Sequence, residues 1–487
     1  MSVGAFPARR TLWGRWLNRF KLPFPVLVTL GAGLALLLLG YGAIVNLRSI
    51  KYLVALIALG MVGCAFLVIP RKFNFFLYSL SFTLPFFVQF IITERDRSVF
   101  AVTGTVLIAL TLSIIGLLTG AIEKSKLVFE PRITLPFIVF ILACLVSGIN
   151  TTDYTLTFMG IAQELEMLFL FLVLINVVTG EERVLLFLRG LYLAFVIECL
   201  IYYAQNLLGF SFDILGNTKY VGATDVEAGR IGSQRGTFGA APATAAIYFS
   251  VLTLSLTGLY LSRKRLALRI KPILGMVLGG SCLILAAKRA PMSGFVLGVL
   301  TMVLLNSMWA HWAVKRLATV LASLAIPLLI FLPVFLLRAS ADHEAAYEER
   351  MNLTRISWNM VKSHPAIGVG FGTYDTMKRG YLPPEWKGWI YTVHNHYLLV
   401  LSETGIVGFV ALIILHLSIL RTAYRGIRII SPEFRPFQIS LVAGLIAMYW
   451  EQNWDIFNSR PQNYLFWLVG AMAVFLPRAF PVTSEPA

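Results

Sequence analysis

The sequence predicts an all-α, polytopic membrane protein with about 12–14 transmembrane helices. Three observations carry this reading. Hydrophobic residues fill 58% of the 487 positions and charged residues only 13%, about half the charged share of ordinary soluble domains, and mean hydropathy is +0.77. Apolar runs long enough to cross a bilayer, about 20 residues each, recur along the chain. Lys and Arg cluster in alternate connections, the mark of cytoplasmic loops. The net charge of +17 therefore signals neither a disordered polybasic chain, which needs low hydrophobicity, nor a nucleic-acid binder, whose cations line a wettable face. Membrane lipids are the expected surroundings, and no nucleic acid is expected as partner.

The elements follow in order. A basic arm at 1–23 carries Arg9, Arg10, Arg15, Arg19 and Lys21. The apolar run from Phe24 to about Asn46 is too long for a cleaved signal peptide and reads as a first span with a cytoplasmic N-terminus. Further helices are predicted at 50–69, 74–92, 99–120, 133–149, 159–179, 183–208, 240–261, 271–288, 291–309, 317–338, 396–420, 437–452 and 463–477. This divides the chain into the arm (1–23), a transmembrane bundle (24–338) with an outer loop at 209–239, a large outer loop (339–395), C-terminal helices (396–477) and a tail (478–487). An even count puts both termini in the cytoplasm. The cytoplasmic segments then hold 24 basic and 6 acidic residues, leaving 17 basic and 18 acidic elsewhere. The excess charge faces the cytoplasm and its anionic lipids.

The large outer loop opens with a polar helix start at Asp342–Arg350, continues amphipathically through Leu353–Lys362 and ends Gly/Pro-rich from Pro365 to Trp389. Loops of this length usually carry function. The four cysteines, Cys64, Cys144, Cys199 and Cys282, sit in apolar runs without metal-binding or disulfide spacing and read as small buried hydrophobes.

Three outer segments carry chemistry. His394-Asn395-His396-Tyr397 lies where the large loop re-enters the bilayer. A histidine there is suited to accept a proton near neutral pH. Gly405 and Gly408 follow one helical turn apart, a spacing that permits close helix packing. His394 and His396 would diverge on a helix, which disfavours a metal pair. Lys288-Arg289 interrupts two apolar runs, and adjacent cations at membrane depth need an anion or water. Arg230 and Arg235 precede the helix near Ala240, and guanidinium forks ahead of a helix N-terminus suit phosphate oxygens. Taken singly, each has an ordinary explanation as interfacial histidine, snorkelling turn or surface loop. Together they put a base and several cations on one face. That is what glycosyl transfer from a lipid diphosphate requires, because arginines that meet the leaving diphosphate's charge replace an acid. No DxD-like cluster stands in these loops, so the expected chemistry is metal-independent and cofactor-free. Within or beside apolar runs lie Glu164, Glu166, Glu198, Glu403, Glu451 and Asp455. Glu198 reads as a buried structural partner. Glu403, seven residues after His396 and on its face, reads as a supporting residue.

The string His394-Asn395, nine residues, Gly405, two residues, Gly408 resembles the signature of the bacterial O-antigen ligase and Wzy-type polymerase superfamily. Ile367-Gly-Val-Gly370-Phe-Gly372 resembles the glycine-rich segment that precedes it. Lys288-Arg289 is similar to the family's hairpin arginine, and Arg230 or Arg235 to its other loop arginine. The resemblance covers roughly 230–420. Arg289 is followed by Ala290-Pro291 where many members have Gly, and Ala240-Ala-Pro242 lacks an Asn often present there. The resemblance implies a GT-C-like glycosyltransferase of the bacterial inner membrane. Its donor would be an undecaprenyl-diphosphate-linked glycan, and its acceptor a saccharide hydroxyl of lipid A-core or of a growing polysaccharide. His394 would be the base, with Arg289, Lys288 and Arg230 or Arg235 on the diphosphate, supported by Asn395, His396, Glu403, Gly405 and Gly408. The rival from another class is a transporter or flippase of lipid-linked glycan, with Glu164 and Glu198 as coupling residues. Transporters, however, bind near the midplane in broken helices, whereas the polar chemistry here gathers in outer loops.

Overall fold

The computed structural model describes residues 72–84, 89–95, 98–122, 127–208, 236–238, 242–262, 271–309, 344–384, 386, 390–457 and 459–482, with single positions at 320, 322 and 329. The helices predicted at 24–46 and 50–69, and Arg230 and Arg235, lie outside the described residues, as does all but three positions of the helix predicted at 317–338.

The described elements are α1 (Lys72–Thr83), β1 (Gln89–Arg95), β2 (Ser98–Thr103), α2 (Gly104–Thr119), α3 (Pro131–Ser147), α4 (Tyr154–Val177), α5 (Gly180–Leu208), α6 (Pro242–Leu261), α7 (Pro272–Ala286), α8 (Arg289–Trp309), α9 (Glu344–Ser363), α10 (Tyr374–Met377), α11 (His396–Ile429), α12 (Arg435–Glu451) and α13 (Arg460–Ala479). Among the described residues six helices, at 131–150, 154–177, 180–208, 243–261, 289–309 and 396–429, are long and apolar enough to cross a membrane; α2 and α7 are shorter apolar helices. The fold is a polytopic α-helical bundle.

Starts and stops follow local chemistry. Proline opens α3, α7, α12 and α13, where its missing N–H costs nothing. Asp153 caps α4 by accepting from the Thr155 and Leu156 amides, an arrangement worth about 1 kcal/mol. The helix predicted at 74–92 stops at Thr83, and that predicted at 99–120 starts at Gly104. Between them β1 and β2 pair antiparallel, Gln89 opposite Thr103 and Arg95 opposite Ser98. The segment is rich in Ile, Val, Thr and Phe, residues that favour strands, and hydropathy alone does not separate such a run from a helix.

Helix α6 lies at the centre, packed on α7, α8 and α12. Small residues let the backbones approach. A Cβ at Gly258 would meet Ser440 of α12, and one at Gly298 of α8 would meet Leu254 of α6. Outside the bundle, α9, α10 and the segment up to Val393 build a cap with its own core of Leu353, Ile356, Met360, Val369, Tyr374 and Val393.

Helix α11 is not one rod. Gly405 has φ 62° and ψ −166°, so the helix breaks there. Tyr397 and His416 lie nineteen positions apart, about 28 Å along a straight helix, yet their ring centroids are 6.0 Å apart. Tyr449 of α12 ties both ends: it accepts from the Tyr397 hydroxyl through its carbonyl, and its own hydroxyl donates to the His416 carbonyl. The arm 396–404 therefore folds back along 406–416, with Gly405 at the apex. This corrects the continuous helix predicted at 396–420. It also changes the reading of Gly405 and Gly408 as a helix-packing pair. A Cβ at Gly405 would lie 2.3 Å from the Ala366 carbonyl of the cap, and one at Gly408 would lie 2.1 Å from Thr404 Oγ1 on the opposite arm. The first glycine makes the turn and the second makes room for it.

Candidate functional site

His394 is held from both sides in sequence. Val393 is buried in the cap core, and the Thr392 hydroxyl donates to Asp375 Oδ1 at 2.7 Å, a carboxylate that also pairs with Lys378. On the other side Asn395 is the N-cap of α11, its Oδ1 accepting from the Leu398 amide at 2.9 Å. The His-Asn pair thus has a local logic: the asparagine fixes where the helix begins, and so where the imidazole leaves the chain.

The imidazole of His394 is solvent-open, at 42% exposure, with Nδ1 3.5 Å from Asp455 Oδ1. Asp455 lies in the connection between α12 and α13 and is anchored through its amide, which donates to the Glu451 carbonyl. A carboxylate on Nδ1 orients the ring and leaves Nε2 without a claim from Asp455. The sequence marked Asp455 only as a carboxylate at the end of an apolar run; nothing in the spacing joined it to His394.

Lys288 joins α7 to α8 and Arg289 opens α8, after Ala287 in the left-handed region at φ 49°. Lys288 is half-buried and Arg289 exposed. The first turns of α8 lie against the last turn of α12. Trp450 Nε1 donates to Ser293 Oγ at 2.8 Å, and a Cβ at Gly294 would touch the Glu451 carboxylate. Both oxygens of Glu451 are buried without a hydrogen-bond partner among the described residues. The residues after Glu451 form the connection that carries Asp455. The Lys288-Arg289 turn and the His394–Asp455 pair therefore share one end of the bundle.

His396 and Glu403 lie elsewhere on the folded-back arm. The His396 amide donates to the Gln452 carbonyl at 2.8 Å, coupling α11 to the end of α12, and its ring packs near Phe457. Glu403 Oε1 accepts from the Tyr374 amide at 3.0 Å, so it fastens the cap. Burial pushes the Tyr374 phenol up to about 12, and its hydroxyl pairs with Ser357 at 2.7 Å. The glycine-rich string docks beside it. The Gly370 amide donates to the Glu403 carbonyl, and Gly368, at φ 70°, leaves only 2.3 Å between a Cβ and that carbonyl.

Gly236, which directly follows Arg235, begins a described turn. Glu198 of α5 accepts from the Thr237 amide at 2.8 Å and hydroxyl at 2.7 Å, while Gln205 both donates to and accepts from the Gly236 backbone. A second buried network ties Arg460, at the start of α13, to Glu166 of α4 at 3.2 Å, with Tyr464 and Thr103 on the same carboxylate. Among the described residues no group of three His, Cys, Asp or Glu is placed to hold a metal ion.

No curated protein matches the chain. Residues 274–413 match the family described as O-antigen ligase. The matched stretch opens in α7 and takes in Lys288-Arg289, the cap, His394 and the Gly405 turn. With the apolar helices around it, the chain is a multi-pass membrane protein whose residues 274–413 are similar to the O-antigen ligase family.

Proposed function

We propose that this protein is a glycosyltransferase that moves a glycan from an undecaprenyl-diphosphate carrier to a saccharide hydroxyl on the periplasmic face of the bacterial inner membrane. The family match supports membrane glycan transfer in general. The observation that carries the finer reading is the solvent-open His394 with Asp455 on its Nδ1. With Nδ1–H directed to Asp455, Nε2 accepts the proton of the acceptor hydroxyl as that oxygen attacks the anomeric carbon. The bond from the anomeric carbon to the diphosphate oxygen breaks, and the electron pair leaves with the diphosphate. Arg289, Lys288 and Arg230 or Arg235 meet that charge, which stabilises the transition state without a protonating acid.

The flippase reading needs buried carboxylates free to couple transport. Glu198 is instead committed to Thr237, which favours a structural role. The test uses purified full-length chain, lipid-linked donor and saccharide acceptor. His394→Ala is expected to lower the transfer rate about 10²–10⁴-fold, the span of a positioned general base. An undiminished rate would overturn the assignment. Translocation without transfer by the wild type would favour the flippase. Deletion in the host separates the two acceptor classes: loss of all glycan from lipid A-core marks a ligase, and retention of one capping repeat without long chains marks a polymerase.

A further inference from the structure

Two indoles stand open in the segment that carries Asp455, the partner of the candidate base. Trp450 and Trp454 are 39% and 45% exposed, and their ring centroids are 6.0 Å apart. Scattered exposed aromatics are ordinary, but this pair is built in. The Trp454 amide donates to the Glu451 carbonyl at 2.8 Å, within the same turn that anchors Asp455. Trp450 spends its indole N–H on Ser293 Oγ of α8, so its faces rather than its polar edge are left for a ligand. One end of the pair thus adjoins the residue that orients His394, and the other adjoins the helix that begins with Arg289.

We propose that Trp450 and Trp454 form a stacking platform for the acceptor saccharide, holding a pyranose ring on the indole faces so that one of its hydroxyls reaches His394. The inference rests on the glycosyltransferase reading and names the acceptor's place within it. A pyranose presents an apolar C–H face and an equatorial rim of hydroxyls, which matches an aromatic surface next to a proton acceptor. The competing occupant is lipid, because tryptophans also collect at membrane interfaces. Trp454 directly precedes Asp455 in the chain, and Asp455 faces a solvent-open histidine, which favours the sugar.

Aromatic contacts of this kind contribute about 0.5–1.5 kcal/mol, or about 2- to 12-fold each. With the full-length chain in nanodiscs, Trp454→Ala and Trp450→Ala are expected to raise the acceptor KM by about that factor and to leave the donor KM unchanged. Trp454→Phe should restore most of the loss. The difference in fluorescence between wild type and the W450F/W454F variant should respond to free acceptor oligosaccharide and resist quenching by brominated lipids. Unchanged acceptor KM in both alanine variants overturns the platform. So does quenching by brominated lipids with no response to the oligosaccharide. The fluorescence titration reads binding without turnover. It therefore tests the platform even if His394→Ala shows that the base has been misassigned.

Discussion

Asp455 follows His394 by sixty-one residues, and its carboxylate nonetheless faces the imidazole. No local spacing encodes that pairing. It arises because the His396 amide holds the Gln452 carbonyl, which seats the start of α11 on the end of α12. His394 itself was legible, since a histidine after a long polar loop and ahead of an apolar run already reads as interfacial chemistry. Asp455→Asn keeps the shape and removes the charge beside Nδ1. We expect transfer to fall about 10- to 100-fold, a fraction of the base's whole contribution, with acceptor KM little changed; an unaltered kcat would remove Asp455 from the mechanism. Gly405 poses the opposite problem: its presence was plain in the sequence and its conformation was not. Gly405→Ala adds a Cβ 2.3 Å from the Ala366 carbonyl at φ 62°. The expected loss is about 1–3 kcal/mol, read as a lower melting temperature.

At the scale of elements, most helices were legible because length and apolarity suffice to find a span. The failures are instructive. The hairpin at 89–103 falls within two predicted helices because the apolar content of its strands outweighs their β-branched character. The folded-back arm reads as one helix in the sequence because apolar residues run through the break. The turn at 236–238 shows an element being positioned by chemistry within the bundle. Glu198 accepts two hydrogen bonds from Thr237, and glutamine reproduces both, one as acceptor and one as donor to the hydroxyl. Glu198→Gln should therefore leave transfer near the wild-type rate. Glu198→Leu strands the Thr237 donors, a cost of about 1–3 kcal/mol. If Arg235, the next residue before the turn, holds the donor as proposed, the donor KM should rise about five- to a hundredfold. Equal damage from both variants would instead mean that the charge itself is used, as coupling by a transporter would require.

For the whole molecule, hydropathy and the placement of Lys and Arg gave a layout with testable sides. In the proposed orientation the Lys- and Arg-rich connections face the cytoplasm and the cap faces the opposite side. Thr354 on the exposed side of α9 and Arg425 near the end of α11 make a matched pair of probes. In intact spheroplasts, Thr354→Cys should react with a membrane-impermeant maleimide. Arg425→Cys should react only after permeabilisation. The reverse pattern would invert the molecule and move His394 to the wrong face for a periplasmic acceptor.

The fold-back at Gly405 also bears on how such a protein can be re-engineered. The arm it creates lends Leu399 to the cap core, begins two residues after His394, and closes on the glycine-rich string. Cap and His394 are therefore parts of one piece. A chimera that exchanges acceptor preference between relatives has a natural seam after Gly408 rather than at the visible end of the loop. A cut at His394 would hand the recipient a cap that lacks part of its core and a histidine with nothing behind it.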